Sequence, residues 1–346
     1  MNKFLFNFAV SHVTGGFKRL YEYAKWFDTN GGASFIVHPS CEGLVAEFPS
    51  NCFFFAGQTK IQRFSNDCEY LDAILTGLGK LDLYYSFGIP IYSRVAVCNL
   101  FHLCNVLTLG TRGVPLPPLD HVKWFMLGLR IKKNWRNADL VSAESAYSLS
   151  LIRGVPAEKL FVSVLGSDDE LAQENSDTSI QKDNVATVVG TAKYKSLKDS
   201  YMVFQMLRDK IPSLKLVVIG QLEYIPKEIF AKDSIIFKGL IPRREVMEAL
   251  RKTRFYISTT RIEGSYNAAS EGVFFADESY ISDIGPHREL LDGMPCERVV
   301  IPGLSRSMIH VKRDSISGKN LKTWNKVISE MIYRVHKAQA TSPHGT

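Results

Sequence analysis

No apolar run in the 346 residues approaches the length that spans a bilayer, so a membrane-crossing helix is not expected. Cysteine is scarce and unpatterned. Cys41, Cys52, Cys68, Cys98, Cys104 and Cys296 form no C-x-x-C pair and no zinc spacing, and they read as reduced thiols in a cytoplasmic protein. The first strand–helix junction lacks G-x-G-x-x-G, which removes the dinucleotide fingerprint. There is no internal repeat beyond strand–helix alternation, and no low-complexity tract apart from short polar ends. Acidic residues are outnumbered, leaving a net charge of +7 and a pI near 9.0. That balance fits an anionic partner without choosing among nucleic acid, anionic lipid and a phosphorylated substrate.

What is present fits a globular protein of two domains: the chain is too long for one ordinary core, and 45% of it is hydrophobic and 22% charged. The opening MNKFLFNFAV is apolar but short and lacks a small-residue cleavage site, so a buried first strand is expected and not a signal peptide. The chain is expected to divide into a first α/β domain (1–166), an acidic linker (167–183), a second α/β domain (184–315) and a final helix with a tail (316–346). The helix is expected over Leu321 to His336, from its apolar spacing, with disorder from Lys337.

Arg261 to Glu289 is the most informative stretch. An apolar run (Phe255, Tyr256, Ile257) leads through a polar turn to a small-residue helix (Ala268, Ala269, Ser270), then to a strand, Ser279 to Ser282, and a break at Gly285-Pro286. This is a βαβ unit, whose loops at the carboxyl end of a parallel sheet are where ligands bind. Glu263 and Glu271, with seven residues between them, bracket the helix start near Asn267. The first N–H groups of that helix would seat a phosphate, and the two carboxylates would accept hydroxyl bonds. Such a site suits a nucleotide-sugar. The same two residues are also compatible with solvated charges beside an ordinary turn, and the residues alone leave both open. Upstream, Val185 to Val189 and Gly190 precede a loop with Lys193, Lys195 and Lys198, either a positive lip over a phosphate or a solvated charge run.

The stretch resembles the E-x7-E region of the family-4 retaining glycosyltransferases of the GT-B fold, including the trailing Ser282 to Glu289 (SDIGPHRE). The resemblance implies two doubly wound, Rossmann-like α/β domains facing a cleft, with the final helix crossing back onto the first domain. It implies that Glu263 lies against the donor sugar and Glu271 on the nucleotide ribose, with the base near Leu240 to Pro242. Lys198 would grip the donor diphosphate. Thr191 stands where the family usually has Arg, so that role moves to Lys193 or Lys195. His102 would contact the sugar from the end of a strand in the first domain, with Asn105 beside it and His12 a weaker candidate. Gly15 and Gly16, read as a loop between strand and helix, would approach the donor phosphates and the acceptor. Two further departures are Ser265-Tyr266 in place of Phe-Gly, and Ala276-Asp277-Glu278 in place of Gly-x-Pro. Asp168-Asp169 is not the D-x-D of metal-dependent transferases, and neither metal nor cofactor is expected.

Residues His121 to Arg136 carry five Lys or Arg, no acid, and interleaved large apolar side chains. This suits an amphipathic helix on an anionic membrane or, equally, a core-facing helix with a solvated basic side. No nucleic-acid motif accompanies it, and no nucleic-acid partner is expected. The expected function is transfer of a sugar from a nucleotide-sugar to a glycan, lipid-pyrophosphate-linked, at the cytoplasmic face of a bacterial inner membrane, as in lipopolysaccharide or O-antigen assembly. The alternatives are a nucleotide-sugar epimerase of the same fold and a non-catalytic nucleotide-sugar-binding partner.

Overall fold

The computed structural model describes residues 3–11, 14–56, 69–111, 113–167, 181–226, 229, 233–313 and 321–341. His12, residues 168–180 of the expected linker, and the tail after Thr341 lie outside them. The chain divides into two compact units. One is Met1–Arg112 with Pro117–Gly166 and Lys322–Thr346, and the other is Gly113–Leu116 with Ser167–Leu321.

The first unit is built on β1 (Phe4–Phe8), β2 (Ser34–Val37), β3 (Cys52–Phe55), β4 (Leu81–Phe87), β5 (Ala96–Leu103), β6 (Leu140–Ala143) and β7 (Leu160–Val162). They form one parallel sheet in the order β3-β2-β1-β4-β5-β6-β7. Phe4, Phe6 and Phe8 enter the core on one face, and Leu5 enters the core on the other. Because both faces are covered, β1 is apolar at four of its five positions, and the fifth, the buried Asn7, donates to Tyr84 Oη at 2.9 Å. Its helices are α1 (Thr14–Thr29), α2 (Gly43–Glu47), α3 (Glu69–Leu78), α4 (Pro118–Asn134) and α5 (Ala146–Ser150).

The second unit carries β8 (Asp183–Val189), β9 (Lys215–Ile219), β10 (Ile235–Gly239), β11 (Thr253–Ser258), β12 (Glu278–Ser282), β13 (Glu297–Val299) and β14 (Met308–Lys312). Their order is β10-β9-β8-β11-β12-β14-β13, parallel except for the antiparallel pairs made by β14. The helices used below are α6 (Leu197–Lys210), α7 (Arg243–Arg251), α8 (Asn267–Phe275) and α9 (Gly285–Leu290). The last helix, α10 (Trp324–Thr341), packs Trp324, Ile328, Met331 and Val335 into the core of the first unit beside Phe4 and Tyr23. Trp26 Nε1 donates to Asn325 Oδ1 at 2.8 Å, tying α10 to α1.

Four expectations need correction. Gly15 and Gly16 are not a loop but the first turn of α1. A Cβ on Gly16 would stand 3.1 Å from Ser11 Oγ and 3.2 Å from Phe87 Cε1, so glycine lets this helix end sit close on the sheet. His102 is not past a strand end but inside β5. The final helix continues beyond Lys337 to Thr341, where order replaces the expected disorder. The 191–198 stretch is not all loop: Lys193–Lys195 form a 3-10 turn and Lys198 lies in the first turn of α6. The pair β13 and β14 is not expected from the sequence.

Candidate active site

The strand order of the second sheet reverses at β8: β9 and β10 run out on one side, β11 and β12 on the other. The carboxyl ends of β8 and β11 therefore flank a switch point, where open α/β sheets leave a crevice for ligands. The loop after β8 leaves through Gly190 (φ 92) and reaches α6 through Ser196 (φ 51, ψ 58). Ser196 is the non-glycine residue with positive φ among the described residues, a conformation that costs about 1–3 kcal/mol and persists only where its surroundings impose it. They do impose it. Ser196 Oγ donates to Asp199 Oδ2 at 2.6 Å, and Thr259 Oγ1, from the loop after β11, donates to Ser196 O at 2.9 Å. Arg261 N donates to Tyr194 O at 2.8 Å, so the two loops are stitched along their backbones.

This stitching turns Lys195 onto Glu263. Its Nζ pairs with Glu263 Oε1, the two side chains being 17% and 20% exposed. The Lys195 stem runs over Gly190, where a Cβ would stand 3.3 Å from Cε. Burial alone would lower the pKa of this ammonium, but Glu263 and then Tyr194 outweigh it, and the net shift is upward. Lys195 is therefore a fixed cation. His287, in the first turn of α9, is buried beneath the pair, with Nδ1 2.7 Å from Ser282 O. Burial, opposed by the Ser282 carbonyl and Glu263, pushes it down to about 4, so it is neutral at ordinary pH. Tyr256, on β11, is fully buried, and burial, opposed by the Lys195 charge, pushes its phenol pKa upward.

Glu271 lies one turn into α8 and is buried. Arg243 Nη2, at the start of α7, donates to Glu271 Oε1 at 2.7 Å. Glu263 and Glu271 are thus each held at Oε1, and among the described residues neither Oε2 has a partner. Each leaves an acceptor for a hydroxyl. Between them α8 begins at Asn267 with no side-chain cap, and Asn267 Oδ1 accepts from Ser265 Oγ at 2.9 Å. The uncapped first turn presents donors to an anion.

Thr191 is buried, and its Oγ1 donates to Gln221 O at 2.8 Å, away from this cluster. It fastens the β8 and β9 loops together and offers no cation. Lys193 and Lys198, close to Lys195 in the chain, are exposed. An open depression of about 290 Å³, lined by Gln221, Leu222, Glu223, Gly239 and Leu240, lies at the ends of β9 and β10. Among the described residues no group of three His, Cys, Asp or Glu is gathered as a metal ion would need.

His102, Gly15 and Gly16 belong to the other unit. The His102 ring is fully buried, stacked on Phe87 (centroids 5.3 Å apart), with Nδ1 2.8 Å from Ser142 Oγ. Burial, then the Arg19 charge, holds it well below its ordinary pKa. Its Nε2 lies 3.8 Å from Glu144 Oε1. Arg19, also fully buried, donates to Ser163 O at 2.9 Å and Val164 O at 3.0 Å. His102 is therefore part of a packed polar core and not an exposed contact.

Arg243 and His287 were not assigned roles from sequence. Arg243 had a signal: a cation at a helix N-terminus opposes the helix dipole, so something must hold it there, and Glu271 does. His287 had none beyond lying in the 282–289 stretch.

No protein-family model matches this sequence, and no curated protein sequence matches it. Solved structures do share its fold. Sucrose-phosphate synthase from Thermosynechococcus elongatus superposes with a TM-score of 0.67 at 12% identity, covering 99% of this chain and 100% of that one. Anabaena HepE in complex with UDP-glucose gives 0.61 at 13% identity, covering 98% and 94%. A UDP-N-acetylglucosamine 2-epimerase from Listeria monocytogenes, so described provisionally, gives 0.50 at 10% identity, covering 99% and 92%. The fold is GT-B: two α/β units, each on a seven-stranded, mostly parallel sheet.

Proposed function

We propose that this chain is a retaining glycosyltransferase that takes its sugar from a nucleoside diphosphate donor bound in the second unit. One observation carries the reading: a fixed cation, an uncapped helix start and two carboxylates with free oxygens meet at the switch point of a GT-B sheet. HepE, of the same fold, holds UDP-glucose. In this proposal Lys195 and the α8 amides take the diphosphate, with Lys193 and Lys198 at the rim. Glu263 orients the sugar and Glu271 takes the ribose hydroxyls, and the base occupies the depression at Leu222 and Leu240.

Transfer breaks the bond between the anomeric carbon and the phosphate oxygen and forms one to the acceptor hydroxyl on the same face. The acceptor proton passes to the leaving phosphate oxygen, so no protein base is required. Positive charge held ready at the diphosphate stabilises the departing anion, usually the largest contribution at such sites. Neither metal nor cofactor is part of the proposal. The acceptor we propose is a lipid-pyrophosphate-linked glycan, of the kind used in bacterial surface polysaccharide assembly.

Incubation with UDP-, GDP- and dTDP-sugars and lipid-linked glycan extracts tests this. The expected product keeps the donor's anomeric configuration by NMR, with one nucleoside diphosphate released per sugar moved. An inverted product would end the retaining mechanism. An epimerised nucleotide-sugar with no transfer would replace it with the epimerase reading, whose fold the Listeria protein shares.

A further inference from the structure

Helix α4 buries Leu127, Gly128 and Ile131. Gly128 approaches the neighbouring backbone so closely that a Cβ would stand 2.0 Å from Thr108 O, which fixes the helix's rotation on the first unit. This inner face is sufficient to hold the helix in place. The outer face is nevertheless apolar: Leu119, Val122, Phe125, Met126 and Leu129 are 83%, 59%, 64%, 42% and 46% exposed. At 3.6 residues per turn these five share an arc of about 120°, roughly opposite Leu127 and Ile131. Single exposed leucines are ordinary; five large side chains on one stripe mark a surface that meets a partner.

Charge identifies the partner. Lys123 and Arg130 border the stripe, and Lys132, Lys133 and Arg136 are exposed at its carboxyl end. Asp120 is the one acid in this segment. A second copy would set two identical basic rims against each other, which disfavours self-association through this face. An anionic bilayer offers both acyl chains for the stripe and phosphates for the rim.

We propose that the outer face of α4 is a membrane-docking surface, lying in the headgroup layer of an anionic bilayer with the five apolar side chains inserted. The proposal deepens the acceptor half of the proposed function and rests on it for its purpose, since a lipid-linked acceptor lies at that surface. Its test needs no donor.

The test is sedimentation of the full chain with phosphatidylcholine vesicles, with and without phosphatidylglycerol. Binding is expected only with phosphatidylglycerol and weakens as salt rises. Phe125→Glu with Leu129→Glu should abolish it. Lys132→Glu with Lys133→Glu should weaken it by about 30-fold or more, since each surface cation changes partition by about fivefold. Both variant proteins should melt cooperatively near the parent's Tm, and that readout separates misfolding from lost docking. Wild-type binding no tighter than the Phe125→Glu/Leu129→Glu protein would overturn the proposal. So would a dimer in sedimentation velocity that these substitutions dissociate while vesicles bind neither form. Vesicle binding without donor stabilisation would leave the docking surface standing and count against the proposed transferase alone.

Discussion

His287 couples the candidate site to pH. The folded chain holds its imidazole neutral, with the pKa moved from 6.5 to about 4, chiefly by burial. As pH falls across that window the unfolded chain gains a proton that the folded chain refuses, so folded stability declines between 6.5 and about 4. The full effect is about 3 kcal/mol. His102 is shifted the same way and adds to the slope. Urea denaturation at a series of pH values should give a shallower decline for His287→Gln than for the parent, and equal slopes would contradict the assignment. At this scale the sequence told only part of the story. That lysines gather after β8 was legible, because Lys193, Lys195 and Lys198 stand together in the chain. That Lys195 turns inward was not, since the 3-10 turn and the left-handed Ser196 that aim it leave no mark in residue spacing. Nor did anything in the sequence show that Thr191 fastens a neighbouring loop.

Elements were easier to read where they are long and periodic or fully apolar. Cys52–Phe55 and Lys215–Ile219 fall where the apolar runs put them. The five-residue α2 is too short to show a period. The strand β14, with His310 and Lys312 among its apolar residues, mixes signals because it is partly exposed beside β13. His102 looked accessible because strand length was underestimated by about one pleat, and β5 carries it into the core. The packing of α8 on β11 gives the test at this scale. A Cβ on Gly272 would stand 2.2 Å from the buried Tyr256 ring. Gly272→Ala should gain helix propensity but lose more to overpacking, with a net loss of about 1–3 kcal/mol. Calorimetry should show a lower Tm and weaker donor binding together. A Tm equal to or above the parent's would mean that α8 does not rest on Tyr256 as closely as described.

Over the whole molecule, each unit repeats one device, a sheet of mostly parallel strands covered on both faces, with polar groups at the carboxyl ends of its central strands. In the second unit that end carries the fixed cation and the two half-occupied carboxylates. In the first it carries a closed polar core around Arg19, Glu144 and His102, sealed by α10 through Trp324 against Gly166. The two-unit plan was legible from length and from the strand–helix alternation, whereas nothing in the residues of the last helix says which unit it packs on. The central claim is that the Lys195–Glu263 corner and the start of α8 hold a nucleoside diphosphate. The most direct measurement is calorimetric titration of UDP, GDP and dTDP into the parent, Lys195→Met and Glu271→Ala proteins, with the matching monophosphates as controls. One diphosphate should bind the parent at least about tenfold more tightly than its monophosphate, and each substitution should weaken it by about tenfold or more, consistent with loss of one charge-assisted contact. Diphosphate affinity unchanged in Lys195→Met, or no nucleotide bound by the parent, would contradict the account.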